Sequence, residues 1–509
     1  GISTKQSLRN SAGRRRKVAR RHARAGHWSE QRRPMFGHGK LRYEIGARPD
    51  VIPCGGIGAF HRLAVKLGLV KELDARLHLL KRHLPYHESD HVLNLTYNVL
   101  CGGTRLEDLE RLRQDAAYMN ALGAELIPDP TTAGDFCRRF DRDELLEALL
   151  EAINAVRPQL WAKRARRLLG AIAYLDVDGT IVGTEGERKA GMDLSYKGIW
   201  GYAPLLVSLA NTQEVLYVVN RPGNVPSHTD AARWIDRAIA LVQPHTRRVC
   251  LRGDSDFALS RHFDRWAQQV DFVFATDSIA ALRERAAALP EGAWKRLPRR
   301  PAYVPQTDQR RNRERYQPHE KERIVRERGY ENLRLQYEDV AEFDYQPGAC
   351  QRSYRMVVVR KNISKERGEA VLFEDIRYLF YITTRRELSA AEVVACAHER
   401  CDQENLIAQL KDGVNALRVP LYDLRSNWAY MVIAALAWNL KSWWALMLPT
   451  VAQRRQYLRL EFRRFLHGVV LIPCQVWHRA RGRTLRLLGY QATMKDFFSA
   501  WHTIGQLAF

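Results

Sequence analysis

Apolar and polar positions follow different rhythms in different parts of this chain. From Val51 to about Arg167 apolar residues recur at helical spacing, through Phe60-His61-Arg62-Leu63-Ala64-Val65-Lys66-Leu67, then His91 to Leu100, then Leu145 to Val156. The rhythm then changes. Ala171-Ile172-Ala173-Tyr174-Leu175 is an unbroken apolar run that reads as a buried strand and leads into Asp176-Val177-Asp178-Gly179-Thr180. Pro204 to Ala210 and Val215 to Asn220 read as strands joined in a hairpin by Asn211-Thr212-Gln213-Glu214. A helical run from Thr229 to Val242, a strand from Arg248 to Arg252, a helix from Ser260 to Gln269 and a strand from Phe272 to Ala275 follow.

The resulting order is strand, strand, strand, helix, strand, helix, strand, which is the order of a ribonuclease-H-like fold. Residues 278 to 375 interrupt it with Arg- and Glu-rich sequence, Pro298, Pro301 and Pro305, and alternating runs at Leu333 to Tyr337 and Tyr354 to Val359, read as a mostly β insertion. Tyr378 to Thr384 resumes a buried strand, and Ser389 with Glu392 has capping-box spacing for a helix start. The expected fold is α/β and multi-domain: a basic arm (1–47), a helical DNA-binding region (48–167), a ribonuclease-H-like core (168–277 and 376–447) carrying the β insertion (278–375), and a C-terminal helical region (448–509).

Charge narrows the partners. The 509 residues carry a formal net charge of +24, and 46% of them are hydrophobic, so a folded protein with a polyanionic partner is expected. Nucleic acid fits that charge. A membrane does not, because the most apolar window, Trp428 to Pro449, contains Asn439 and Lys441 and reads as one or two buried helices. Arg14, Arg15 and Arg16 open a run of seven Lys or Arg residues ending at Arg24, read as an arm that lies on phosphates. Asp129-Pro130-Thr131-Thr132 reads as the start of a short Thr-capped helix whose Arg138 and Arg139, beside Phe136 and Phe140, are candidates for a DNA groove. The eight cysteines have neither Cys-x-x-Cys nor zinc-ligand spacing, and reduced cytosolic thiols are expected.

Candidate chemistry sits at strand ends. Strand alternation puts Asp176 and Asp178 on one face, where hard oxygen ligands suit Mg²⁺ or Mn²⁺. Asp254 and Asp256 close the fourth strand, and Arg400, Glu404 and Lys411 fall on one face of a helix expected after the last strand. Arg400-x-x-x-Glu404-x6-Lys411, with Asn405 after the glutamate, resembles the Tyr-x-x-Arg-x-x-x-Glu-x6-Lys motif of bacterial insertion-sequence DDE transposases. Asp178-Gly179-Thr180 is similar to their first catalytic aspartate, Arg252-Gly253-Asp254-Ser255-Asp256-Phe257 to their second, and Arg221-Pro222-Gly223-Asn224 to a segment after their third strand. The motif's tyrosine position is Ala397.

The resemblance, over about residues 125 to 445, implies metal-dependent cleavage and strand transfer of double-stranded DNA at a mobile element's terminal inverted repeats. It implies Asp178, Asp254 and Glu404 as catalytic ligands of two Mg²⁺ or Mn²⁺ ions, with Arg400 and Lys411 on phosphate. It further implies a homodimer on DNA and a bacterial cytoplasm, nucleoid-associated location. Asp176 versus Asp178 and Asp254 versus Asp256 stay open at this point. Two alternatives stand beside it: a haloacid-dehalogenase-like phosphatase, whose first motif Asp176-Val177-Asp178-Gly179-Thr180 also fits, with Asp176 as nucleophile, and an inactive transposase-derived DNA-binding protein.

Overall fold

In the computed structural model the described residues are 50–297, 327–328, 331–367, 370–479, 482–488 and 493–508. Pro49–Leu297, Glu338–Lys361 and Arg377–Phe509 belong to one compact unit. The described part of a second unit, residues 327–328, 331–337, 362–367 and 370–376, consists mainly of stretches of three long strands.

The main unit opens with helices, α1 (Ile57–Lys66), α3 (Glu88–Leu100), α4 (Pro130–Arg138) and α5 (Asp143–Ala155) where the pattern puts them, and α2 (Leu69–Arg76), which it did not single out. Then come β1 (Ile172–Gly179), β2 (Leu205–Leu209), β3 (Glu214–Val219), α6 (Ala231–Val242), β4 (Arg248–Gly253), α7 (Ser260–Trp266) and β5 (Asp271–Thr276). This is the strand and helix order that the hydrophobic pattern gives. The later strands are β6 (Lys295–Arg296), β7 (Glu331–Tyr345), β8 (Tyr354–Arg367) and β9 (Ala370–Thr383). Three helices follow that matter to the site: α8 (Ala390–His398), α9 (Cys401–Ala408) and α10 (Leu424–Leu446).

The strands form one mixed sheet in the order β6-β7-β8-β9-β5-β4-β1-β2-β3. β1 runs parallel to β4 and antiparallel to β2, and β4 runs parallel to β5. β9 pairs antiparallel with β5 from Phe380↔Thr276 to Thr383↔Val273. The stretch read as an insertion therefore supplies strands to the core sheet, and the expected boundary at 375 falls inside a single 14-residue strand. From Ala370 to Arg377 acidic and apolar residues are mixed, so an unbroken apolar run is visible only from Tyr378 on.

A second difference lies between β1 and β2. Val182–Gly183, Trp200–Tyr202 and Asp193–Leu194 form a small antiparallel sheet that the sequence pattern did not reveal. Gly223 touches it: a Cβ there would lie 2.3 Å from the Asp193 carbonyl oxygen and 2.7 Å from that of Gly201, so the close approach requires glycine.

Most of Trp428 to Pro449 lies in one 23-residue helix, α10, that is largely apolar and buried on every side from Ser426 on. No helix among the described residues is long and apolar enough to cross a membrane. Polar side chains of α10 satisfy the buried edge strand β3: Asn439 accepts from Val215 N at 2.9 Å and donates to Val215 O at 3.0 Å, and Trp428 donates to Val218 O at 2.6 Å. The buried carboxylate of Glu214, at the start of β3, accepts from Arg157, from Trp161 Nε1 at 2.7 Å and from Trp443 Nε1 at 2.6 Å. The C-terminal residues, for which the sequence suggested no role, contribute Cys474–Arg479 as the strand partner of Val51–Ile52.

Candidate active site

Along β1, Ala173, Leu175 and Val177 point into the main core and the intervening residues face the other way. Asp176 and Asp178 therefore share a face, as alternation requires, yet their surroundings differ. Asp176 is 1% exposed, and both its oxygens are taken by Arg252, Nε to Oδ1 at 2.7 Å and Nη2 to Oδ2 at 2.9 Å. Asp178 lies at the strand end, where its Oδ1 accepts from Gly179 N at 2.8 Å and its Oδ2 from Arg400 Nη1 at 3.0 Å.

Asp254 follows the last residue of the neighbouring parallel strand, and its Oδ1 accepts from Asp256 N at 3.1 Å across a short turn. Gly253 before it packs against Val177: a Cβ would come within 2.9 Å of Phe257 Cβ and 3.1 Å of Val177 Cγ1. Burial pushes the Asp178 carboxyl up to about 6, with Arg400 opposing and Asp254 adding to the rise. Asp254 is raised by burial as well, with Arg400 opposing and Asp256 adding. Asp178, Asp254 and Arg400 thus form one electrostatic cluster at the ends of β1 and β4.

The third expected carboxylate arrives on a broken helix. Ser389 and Glu392 form the anticipated capping box at the start of α8. The chain then bends at Glu399 and Arg400 into α9 and continues as a π turn over Gln409–Gly413. Arg400, Glu404 and Lys411 are therefore not on one regular helix, as 100° spacing implied, because the bend and the π turn shift the phase. Arg400 and Lys411 still reach the end of β1, Lys411 Nζ donating to Ile181 O at 3.1 Å. Glu404 stands 3.8 Å from Arg400 Nη2 with its side chain 63% exposed. Among the described residues no three His, Cys, Asp or Glu side chains are grouped closely enough to hold a metal ion. Asp178 and Asp254 are nonetheless two desolvated carboxylates that repel each other, a chemistry that suits a hard divalent cation such as Mg²⁺ or Mn²⁺, while Glu404 stands apart from them on Arg400.

A family model described as Transposase DDE domain group 1 matches residues 50–508. The chain belongs to this transposase family. A cryo-EM structure of a piggyBac transposase synaptic complex with hairpin DNA is similar to this transposase at 12% identity, covering 82% of this chain and 84% of that one, with a TM-score of 0.33. No curated protein sequence matches.

The phosphatase alternative fails on Asp176, the nucleophile it requires, which is buried with both oxygens engaged. Other expected residues of the transposase are dispersed. On α4 the cap is Asp129, accepting from Thr132 N at 2.8 Å, in place of the expected threonine, since Pro130 takes the first helical position. Phe136 and Phe140 are core residues, Phe136 stacked on His91 at 4.4 Å, while Arg138 pairs with Asp135 on its own helix and Arg139 reaches Leu79 O at 3.5 Å. Arg14, Arg15 and Arg16 lie outside the described residues. Two arginines were missed as structural members of the site. Arg252 engages Asp176, and buried Arg221 ties Ala203 O (3.0 Å), Ser227 O (2.9 Å) and Thr229 O (2.9 Å) beside Gly179. Both stood in quoted motifs, and a buried arginine at a strand end needs such partners.

Proposed function

We propose that this transposase binds the terminal inverted repeats of an insertion sequence and carries out metal-dependent DNA cleavage and strand transfer. The observation that carries the reading is the cluster of Asp178, Asp254 and Arg400, with Glu404 on Arg400, inside the family match. A ribonuclease-H-like core is supported by the partial order β3-β2-β1-β4-β5, with β2 antiparallel to β1 and β4 parallel to it.

Asp178, Asp254 and Glu404 would hold two Mg²⁺ or Mn²⁺ ions, which when bound supply an activated water or 3′-hydroxyl and a stabilised leaving oxygen. Arg400 offers a planar fork of N–H donors to a phosphate and offsets charge on the carboxylates beside it. Lys411 adds a point charge at the end of β1. The net charge of +24 suits double-stranded DNA, and the basic arm with Arg14, Arg15 and Arg16 extends that role. Two ends must be joined, so a homodimer on DNA in the bacterial nucleoid is the expected assembly.

The test is nicking of DNA carrying the element's inverted repeats, with Mg²⁺ or with EDTA, by wild type, Asp254→Asn and Glu404→Gln. Mg²⁺-dependent nicking lost in both variants supports the reading. Full activity in either variant removes that residue from the site, and salt-sensitive DNA binding without any nicking identifies an inactive DNA-binding relative.

A further inference from the structure

Arg252 connects three elements at one point. In the parallel pairing of β1 with β4 its Cα register partner is Asp176, so both side chains leave the same face and meet as a two-bond fork, at 2.7 and 2.9 Å. The remaining guanidinium nitrogen, Nη1, donates to Cys396 O and to Glu399 Oε2, each at 3.3 Å. Cys396 lies in the last turn of α8, whose carbonyls have no partners within the helix, and Glu399 is its C-cap. The next residue is Arg400, which touches Asp178 and Glu404. The guanidinium also lies 4.6 Å from the Tyr174 ring centroid, which fixes its plane from the β1 side.

The surroundings make the arrangement informative. Cys250, Val273, Val393, Val394 and Cys396 form an apolar cluster on this face of the sheet, with Tyr174 packed against it. An apolar side chain would fill such a place without the desolvation that a buried ion pair requires. Van der Waals packing tolerates a helix sliding by fractions of an ångström, whereas a planar fork with a third bond to a helix end does not.

We propose that Arg252 is a positioning residue that fixes the α8–α9 joint, and through it Arg400 and Glu404, against Asp178. The proposal rests on the DDE reading for its functional consequence, though not for its structural one. Arg252→Lys keeps the charge and loses the fork. The expected result is amide hydrogen exchange across residues 399–404 faster by about tenfold or more, with β3 and α10 unchanged. Turnover in the nicking assay should fall by about 10²-fold, the scale of a misplacement of about 1 Å, while DNA affinity and its salt dependence stay as in wild type.

The double variant Asp176→Leu/Arg252→Met replaces the buried pair with apolar side chains, so it should unfold near the wild-type denaturant midpoint and still nick slowly. Wild-type nicking in that variant would reduce Arg252 to a stabilising role and overturn the proposal. Unchanged exchange at 399–404 in Arg252→Lys would overturn it whatever the nicking result. If the wild type does not nick DNA at all, the functional reading fails, and the exchange result alone decides whether Arg252 holds the joint.

Discussion

Arg400 Nη1 lies 3.0 Å from Asp178 Oδ2, and this contact opposes the burial that pushes the Asp178 carboxyl up to about 6. A proton competes with a cation for the same oxygens, so apparent Mn²⁺ affinity should rise about tenfold per pH unit up to about 6 and level off above it. Arg400→Ala removes an opposing charge and should move that midpoint upward. Mn²⁺ titrations between about pH 5 and 8, followed by electron paramagnetic resonance, check this. A midpoint that stays put or falls would detach Arg400 from Asp178. In metal-free protein the sign is that of an acid raised by folding: its stabilising contribution is present below 3.8 and lost as pH rises through about 6.

Asp176 and Asp178 are two residues apart and should respond oppositely to the same substitution. Asp176→Asn leaves Arg252 buried without its counter-ion and should lower stability by about 3–5 kcal/mol in denaturant unfolding. Asp178→Asn relieves a desolvated carboxylate, so metal-free stability at neutral pH should be unchanged or higher, while nicking falls by at least about 10²-fold, the scale for a group acting in the transition state. Equal destabilisation by the two would mean that both are structural.

This contrast marks how far the sequence could be read. Strand alternation placed both aspartates on one face of β1, and the motif spacing drew Arg400, Glu404 and Lys411 toward it. What distinguishes the aspartates is a partner 76 residues away on a parallel strand, and parallel register is not written in local periodicity. The bend at Arg400 and the π turn at Gln409–Gly413 were likewise hidden, because the intervening residues are ordinary helix formers and the break is set by packing. Buried α10 was legible, since a helix largely apolar on every side has nowhere to lie but inside.

Lys441, within α10, is fully buried, donates to Leu458 O at 2.8 Å and lies 3.8 Å from the Trp438 ring centroid. Burial lowers its ammonium to about 7. Between that value and the ordinary 10.5 the unfolded chain binds a proton that the folded protein does not, so stability should rise with pH at up to about 1.4 kcal/mol per unit. Lys441→Met should remove that slope and stabilise the protein below pH 7. Urea unfolding at a series of pH values measures both, and an unchanged slope would show that Lys441 stays charged when folded.

DNA contact by α4 can be judged by salt. Its aromatic residues are occupied in the core, so only the basic side remains to meet phosphate. The Arg138–Asp135 pair is half-exposed and lies within one helix, so its loss should change stability by no more than about 0.5 kcal/mol. Arg138→Ala/Arg139→Ala should therefore fold normally, and any lost affinity reports on DNA directly. Each phosphate contact removed lowers the slope of log affinity against log salt by about 0.9, so two contacts predict a drop near 1.8. An unchanged slope would take α4 off the DNA path. The same titration on Lys411→Ala would then ask whether binding is concentrated at the end of β1, where a slope reduced by about one unit is expected.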